Sequence, residues 1–178
     1  MAIPEMMRVL MDDKKLSWKQ AWNVTSNVFN YTNHTILQEA MEKWSVDVVE
    51  EVSPRIMDII AEIDRRFVSD LVGLYYSVDR IDNLRIVKDN TVNMAHLAIL
   101  TAVKINGVAK IHTEILKNET LKSWHDLYPD KFVNKTNGIT PRRWLFYSNP
   151  ELTNFITELL GEDWKTDLTK LKELEKFQ

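Results

Sequence analysis

Residues 28–35 read VFNYTNHT, and a short strand is predicted over the first four of them. Residues 28–31 are short, partly β-branched and aromatic, which is typical of a buried strand. The polar residues 32–35 then end the strand. Because ligands of α/β proteins bind beyond the carboxyl ends of strands, His34 is the first candidate site residue.

Other short strands are predicted along the chain. Residues 105–108 and 132–134 have strand-like composition, and residues 84–87 form a further extended candidate. Short strands separated by longer helices favour a helix-rich α/β fold with a parallel sheet. A mostly helical domain is the alternative, because every predicted strand is short.

The segments predicted to be helical are longer than the predicted strands. Apolar residues recur at three- and four-residue spacing over 54–74, which is the strongest helix of the sequence. Residues 4–13 begin with a proline at a favoured first-turn position, and 163–176 carry a leucine stripe on a charged helix. Residues 76–83 are predicted to be a loop.

Composition excludes several classes of protein. The 178 residues are 44% hydrophobic and 28% charged, as in a soluble globular domain. The net charge is −3 with the basic residues interleaved among acids, so we expect no nucleic-acid partner. No apolar run reaches the roughly 20 residues that span a bilayer, so we expect no membrane association. The absence of cysteine fits a cytoplasmic location.

The sequence predicts neither a metal site nor a phosphate loop. The four histidines show no H-x-x-x-H spacing, and without cysteine no thiolate site can form. Only four glycines are present, which argues against a Gly-rich loop that cradles phosphate.

A family resemblance rests on four stretches, which read AIPEMMR (2–8), YTNHT (31–35), VNMAHL (92–97) and NKTNGITPRRWL (134–145). In this order they resemble the second half of the N-terminal catalytic domain of the α-glucan phosphorylases, which act on glycogen, starch or maltodextrin. The resemblance covers essentially the whole chain. Its most specific part is the twelve-residue run 134–145.

The resemblance implies a fold and an activity. Residues 1–178 would be a single partial domain, the C-terminal half of one of two Rossmann-like domains in a glycosyltransferase fold. The enzyme would cleave terminal α-1,4-linked glucose from a glucan with inorganic phosphate, giving glucose 1-phosphate. Such enzymes are homodimers and use pyridoxal phosphate, whose phosphate group takes part in proton transfer. The cofactor-binding domain would lie outside this chain, so no residue here would bind the cofactor and the isolated chain would be inactive.

The resemblance also implies roles for five residues. The ring of His34, the candidate catalytic residue, would contact the glucose 6-hydroxyl, while its backbone carbonyl would point toward the anomeric carbon. Asn137 would bind the same hydroxyl through its amide, which offers both a donor and an acceptor. Thr35 and Glu42 would lie near the glucose pocket and its side channel. Asn33 is also counted among the substrate-binding residues and would shape the loop that carries His34.

The residues alone leave simpler interpretations open. His34 could be a polar loop residue, Asn137 part of a common Asn-Gly turn, and Glu42 a solvated acid. For the chain as a whole, the second function is a non-catalytic glucan-binding or interaction module. A half-domain would also expose apolar surface, so we expect the isolated chain to self-associate.

Overall fold

The computed structural model describes residues 1–74 and 76–177. They fall into two units, Met1–Thr136 and Asn137–Gln178. That all 178 residues form one partial domain stays a prediction.

The strands of the described residues are β1 (Tyr31–Asn33), β2 (Lys43–Ser45), β3 (Val87–Lys88), β4 (Thr91–Asn93), β5 (Ile105–Gly107) and β6 (Phe132–Asn134). The α-helices are α1 (Ala2–Arg8), α2 (Trp18–Thr25), α3 (Val46–Val52), α4 (Pro54–Gly73), α5 (Val78–Asp82), α6 (Met94–Thr101), α7 (Lys110–Ile115), α8 (Lys122–Leu127) and α9 (Pro150–Leu160). Several of them continue as π or 3₁₀ turns, as α1 does over Val9–Asp13.

A three-stranded parallel sheet organises the first unit, with β5 between β1 and β6. In the middle strand Ile105 and Gly107 are buried and Asn106 between them is half-buried, as expected for a strand that is covered on both faces. The helix-rich α/β prediction with short parallel strands is confirmed, and the mostly helical alternative is wrong. Strand 132–134 lies where the sequence predicts it.

The predicted strand 28–31 is shifted toward the C-terminus. The amide of Val28 still closes a turn onto Thr25, and Asn30 bonds Lys104 through its side-chain oxygen rather than its backbone. Regular pairing therefore begins at Tyr31 and ends at Asn33. The strand thus ends directly before His34.

A second, antiparallel sheet with the order β2-β4-β3 was not predicted. The predicted strand 84–87 is mostly wrong, because the amides of Ile86 and Val87 donate to the Asp64 carboxylate at 2.7 and 3.3 Å. Strand pairing starts only at Val87, opposite Val92.

Helix α4 joins the two hydrophobic clusters of the first unit. Its Ile56, Ile60 and Ile63 pack in one cluster with residues of α1 to α3, while Phe67 and Leu71 pack in the other. The ring of Phe67 stacks on Trp124, with centroids 5.3 Å apart. The predicted helix 54–74 is confirmed because its apolar stripe has partners along its whole length.

Two local predictions are wrong. Residues 76–83 contain the short helix α5, whose buried Ile81 anchors it to the core but gives too little periodic signal in sequence. The predicted helix 163–176 is a pair of 3₁₀ segments, Asp163–Lys165 and Leu168–Phe177. The Asp167 side chain accepts from the backbone and hydroxyl of Thr169, which competes with α-helical bonding at this point.

In the second unit, Trp164 is the buried anchor. Its indole nitrogen donates to the Thr157 hydroxyl of α9 at 3.1 Å. Across the described residues of both units, every helix is too short or too polar to cross a bilayer.

We expect Asp64→Ala to destabilise the protein strongly. Asp64 is 2% exposed and also accepts from Arg85 Nη2 at 2.9 Å, so its loss leaves two backbone amides and a guanidinium without their acceptor. The expected loss is roughly 3 kcal/mol in the free energy of unfolding, measured by urea denaturation. The exposed Asp58 lies on the same helix, and Asp58→Ala should change stability by less than about 0.5 kcal/mol. Equal stability of the two variants would contradict this role.

Candidate functional site

The carboxyl ends of the three parallel strands meet at one edge of the sheet. In the register, Asn33 pairs with Gly107 and Gly107 with Asn134. The ladder extends one step further, since the Lys135 amide donates to the Gly107 carbonyl at 3.1 Å. This edge carries the segments from which the sequence predicts the site.

The loop after β1 is shaped by two side-chain turns. The Asn33 amide oxygen accepts from the Thr35 backbone nitrogen at 2.8 Å, and the Thr35 hydroxyl accepts from the Leu37 nitrogen at 3.0 Å. Both are local turns in which a side chain replaces a backbone acceptor. His34 is the middle residue of the first turn and is exposed, so the turn holds its backbone while its ring remains accessible.

Asn33 itself is 2% exposed. Its amide nitrogen donates to the Tyr31 hydroxyl at 3.3 Å, and its oxygen is used by Thr35. This geometry supports a role in holding the loop, and contact of Asn33 with a ligand stays a prediction.

Tyr31 was not singled out from the sequence, yet its hydroxyl lies beside the loop, where it accepts from the Asn33 amide nitrogen at 3.3 Å. Burial raises the pKa of its hydroxyl, the hydrogen bond from Asn33 opposes the rise, and the negative charge of Glu42 adds to it. Tyr31 therefore stays protonated at neutral pH and carries a polar hydrogen beside the loop. The sequence could have indicated this position, because residues 31 and 33 of a strand have their side chains on the same face.

Glu42 is exposed, and its carboxylate accepts from the Trp44 indole nitrogen at 2.6 Å. Its carbonyl accepts from the Met94 amide at 3.1 Å, which ties this residue to the start of α6. The structure thus holds Glu42 in place and puts its charge within electrostatic reach of Tyr31. Whether it contacts a sugar stays a prediction.

Asn137 is exposed and is the first residue of the second unit. It follows the end of β6 by three residues in sequence. Its pairing with His34 on one hydroxyl stays a prediction.

The other histidines make structural contacts. The Nδ1 atom of His96 lies 2.8 Å from the Arg85 carbonyl, and burial lowers the pKa of its ring. The Nδ1 atom of His112 accepts from the Val108 amide at 3.0 Å. Within residues 1–74 and 76–177, no three His, Asp or Glu side chains are grouped so that they could hold a metal ion.

Among the described lysines, Lys131 is the one whose pKa falls, to about 8, because burial penalises its charged form. A lowered pKa is typical of lysines that form a Schiff base with a carbonyl cofactor. The Lys131 amine nevertheless donates to the carbonyls of Leu100 at 2.8 Å and Ile99 at 3.3 Å. A nitrogen committed to two carbonyls is not available to a carbonyl cofactor.

The groups at this edge are able to hydrogen-bond a ligand. They comprise an exposed imidazole, a fixed carbonyl at His34 and neutral hydroxyls at Tyr31 and Thr35, which suit a polyhydroxylated ligand. The family model for carbohydrate phosphorylases matches residues 1–178. The chain belongs to the carbohydrate phosphorylase family.

Curated relatives agree with this membership. The chain is 47% identical to the liver form of human glycogen phosphorylase over 181 residues, which cover 99% of this chain and 21% of that protein. It is 47% identical to the bovine muscle form and 45% identical to the sheep brain form, over 98% of this chain and 21% of each relative. The chain therefore spans about a fifth of the length of these phosphorylases.

We expect Asn33→Ala to loosen the His34 loop. The substitution removes the acceptor of the Thr35 amide, so hydrogen exchange at that amide should become faster, with a stability loss of about 1–2 kcal/mol. Asn30→Ala is the matched control, because it removes a side-chain bond to the Lys104 amide at the other end of the strand. Thr35 should exchange at the wild-type rate in that control. Unchanged exchange in Asn33→Ala would show that the turn does not hold the loop.

Proposed function

We propose that this chain forms part of the glucose subsite of a longer α-glucan phosphorylase. That enzyme would cleave terminal α-1,4-glucosyl units from a glucan with inorganic phosphate and release glucose 1-phosphate. The observation that carries the proposal is the fixed loop of His34 at the carboxyl edge of a parallel sheet, in a chain that matches the carbohydrate phosphorylase family throughout.

His34 has two roles in this proposal. Its ring binds the 6-hydroxyl of the terminal glucose, and its backbone carbonyl faces the anomeric carbon. A fixed carbonyl dipole at that point stabilises the positive charge of an oxocarbenium-like transition state without acting as a base. The bond between Asn33 and the Thr35 amide supports this role, because it fixes the backbone on both sides of His34.

Asn137, Thr35 and Glu42 complete the sugar-binding wall. The Asn137 amide donates to or accepts from the same 6-hydroxyl, and Thr35 and Glu42 line the pocket beside it. The bond from Trp44 to the Glu42 carboxylate supports a positioned acid rather than a freely moving one.

The longer enzyme also needs groups from outside this chain. Pyridoxal phosphate, bound outside this chain, would supply a phosphate group for proton transfer with the substrate phosphate. The residues of this chain bind and orient the glucose while that chemistry takes place. We place the enzyme in the cytoplasm and propose that it is a homodimer.

In isolation, this chain should self-associate. Large apolar side chains such as Val52, Val78 and Ile111 are more than 70% exposed. Where such side chains lie together at the surface, they promote association.

We expect phosphorolysis only in the context of a complete phosphorylase. A hybrid in which this chain replaces the aligned segment of the human liver form should release glucose 1-phosphate from maltodextrin. The purified 178-residue chain should release none, because positioning without the cofactor leaves the difficult step uncatalysed. A hybrid that folds and binds the cofactor but does not react would contradict the proposal. Glucan binding by the isolated chain beside an inactive hybrid would favour the interaction module.

In the hybrid, His34→Ala and Asn137→Ala should each slow phosphorolysis. Each removes a hydrogen bond to a neutral hydroxyl, worth about 0.5–1.5 kcal/mol. His34→Ala should have the larger effect, on the order of 100-fold in turnover, because a loosened loop also displaces the carbonyl. The two losses should be less than additive, since both residues serve one hydroxyl.

Two controls accompany these variants. Asn118→Ala removes an exposed side-chain bond to the Glu114 carbonyl and should react at the wild-type rate. A substrate whose terminal sugar lacks the hydroxymethyl group should react slowly with the wild-type hybrid and lose little more with either variant. Wild-type rates for both variants on maltodextrin would show that His34 and Asn137 do not belong to the glucose pocket.

A further inference from the structure

The end of the middle strand approaches helix α7 unusually closely. A Cβ atom built on Gly107 would lie 2.2 Å from the Thr113 hydroxyl oxygen and 2.9 Å from the Thr113 Cα. Any larger residue at 107 would therefore displace α7. Glycine is required here for space, and it lets the Thr113 hydroxyl reach the edge of the sheet.

The Thr113 hydroxyl lies between two acceptors. It is 2.8 Å from the Ala109 carbonyl of its own helix turn and 2.9 Å from the side-chain oxygen of Asn134 at the end of β6. Thr113 is 2% exposed, so water does not replace these contacts. The second contact joins α7 to a strand end 21 residues away.

The connection continues into the next loop. The Asn134 amide nitrogen donates to the Thr136 hydroxyl at 3.2 Å, and the Lys135 amide donates to the Gly107 carbonyl at 3.1 Å. Both residues between β6 and Asn137 are thus tied to the sheet edge, one through its backbone and one through its side chain.

We infer that Thr113 is a positioning residue of the glucose subsite: its hydroxyl holds Asn134, and through Asn134 it fixes the loop that presents Asn137 to the sugar. The inference rests on the proposed function, because it assigns Asn137 to the 6-hydroxyl of glucose. Thr113 acts through Asn137 and does not touch the substrate. The residues to which the resemblance gives roles lie within 33–42 and after β6, and none of them lies on α7.

The test compares Thr113→Val, which keeps the shape but removes the hydroxyl, with Thr113→Ser, which keeps the hydroxyl. Thr101→Val is the matched control. Thr101 is also buried, and its hydroxyl donates to the Leu97 carbonyl of its own helix at 2.9 Å. This bond stays within the helix and does not reach a strand end. The control therefore loses the same kind of helical bond without the contact to Asn134.

Two measurements are made. In the 178-residue chain, hydrogen exchange over 134–137 should be faster in Thr113→Val than in Thr101→Val, and close to wild type in Thr113→Ser. In the hybrid phosphorylase, Thr113→Val should lower kcat/KM for maltodextrin about three- to tenfold, whereas Thr113→Ser and Thr101→Val retain most of it.

A double-mutant cycle with Asn137→Ala separates positioning from general stability. If Thr113 acts through Asn137, Thr113→Val should cost less than about twofold in kcat/KM once Asn137 is already alanine. A merely structural role would give the same loss in both backgrounds. Should Thr113→Val not fold, Asn134→Ala breaks the same link from the exposed side and should show the same dependence on Asn137.

The outcomes are distinct. Exchange and kcat/KM of Thr113→Val equal to those of Thr101→Val would overturn the inference alone, as would equal losses in the two backgrounds. An inactive wild-type hybrid, or a harmless Asn137→Ala, would remove the proposed function and this inference with it. Loop loosening together with a loss that vanishes in the Asn137→Ala background would establish both.

Discussion

The contact between Gly107 and Thr113 is the constraint on which the sheet edge depends. Because residue 107 has no side chain, α7 can lie directly against the end of the middle strand. That strand pairs on both sides. Asn33 and Asn134 are therefore both in register with Gly107. A loop that binds a ligand needs such a rigid support, since a small displacement of a binding group weakens its contact severely.

The rest of the first unit supports this edge through helix α4. Its apolar stripe reaches both hydrophobic clusters. Its buried Asp64 accepts hydrogen bonds from the amides of Ile86 and Val87 and from the Arg85 side chain. A buried carboxylate is costly unless donors surround it, so this group fixes where the hairpin of β3 and β4 starts. The hairpin in turn pairs with β2, which contains Trp44 and directly follows Glu42.

In the proposed enzyme, this chain would bind and orient the glucose. At the carboxyl edge the side chains of Asn33 and Thr35 have structural partners, and His34 between them is accessible. In the proposed enzyme, fixed dipoles and hydroxyl contacts on the sugar side would be combined with a proton transfer that the cofactor would supply. In the proposed enzyme, loosening the sugar side lowers turnover although no residue of the wall transfers a proton.

The sequence by itself determined the family, the parallel strands at 105–108 and 132–134, and the long helix 54–74, because motifs and apolar periodicity are local properties of the chain. Only the tertiary structure decided where β1 begins, that residues 86 and 87 bond Asp64 instead of extending a strand, and that Thr113 reaches Asn134. Each of these depends on hydrogen bonds between residues about 20 or more positions apart in the chain. Their partners are chosen by packing, which no local pattern records.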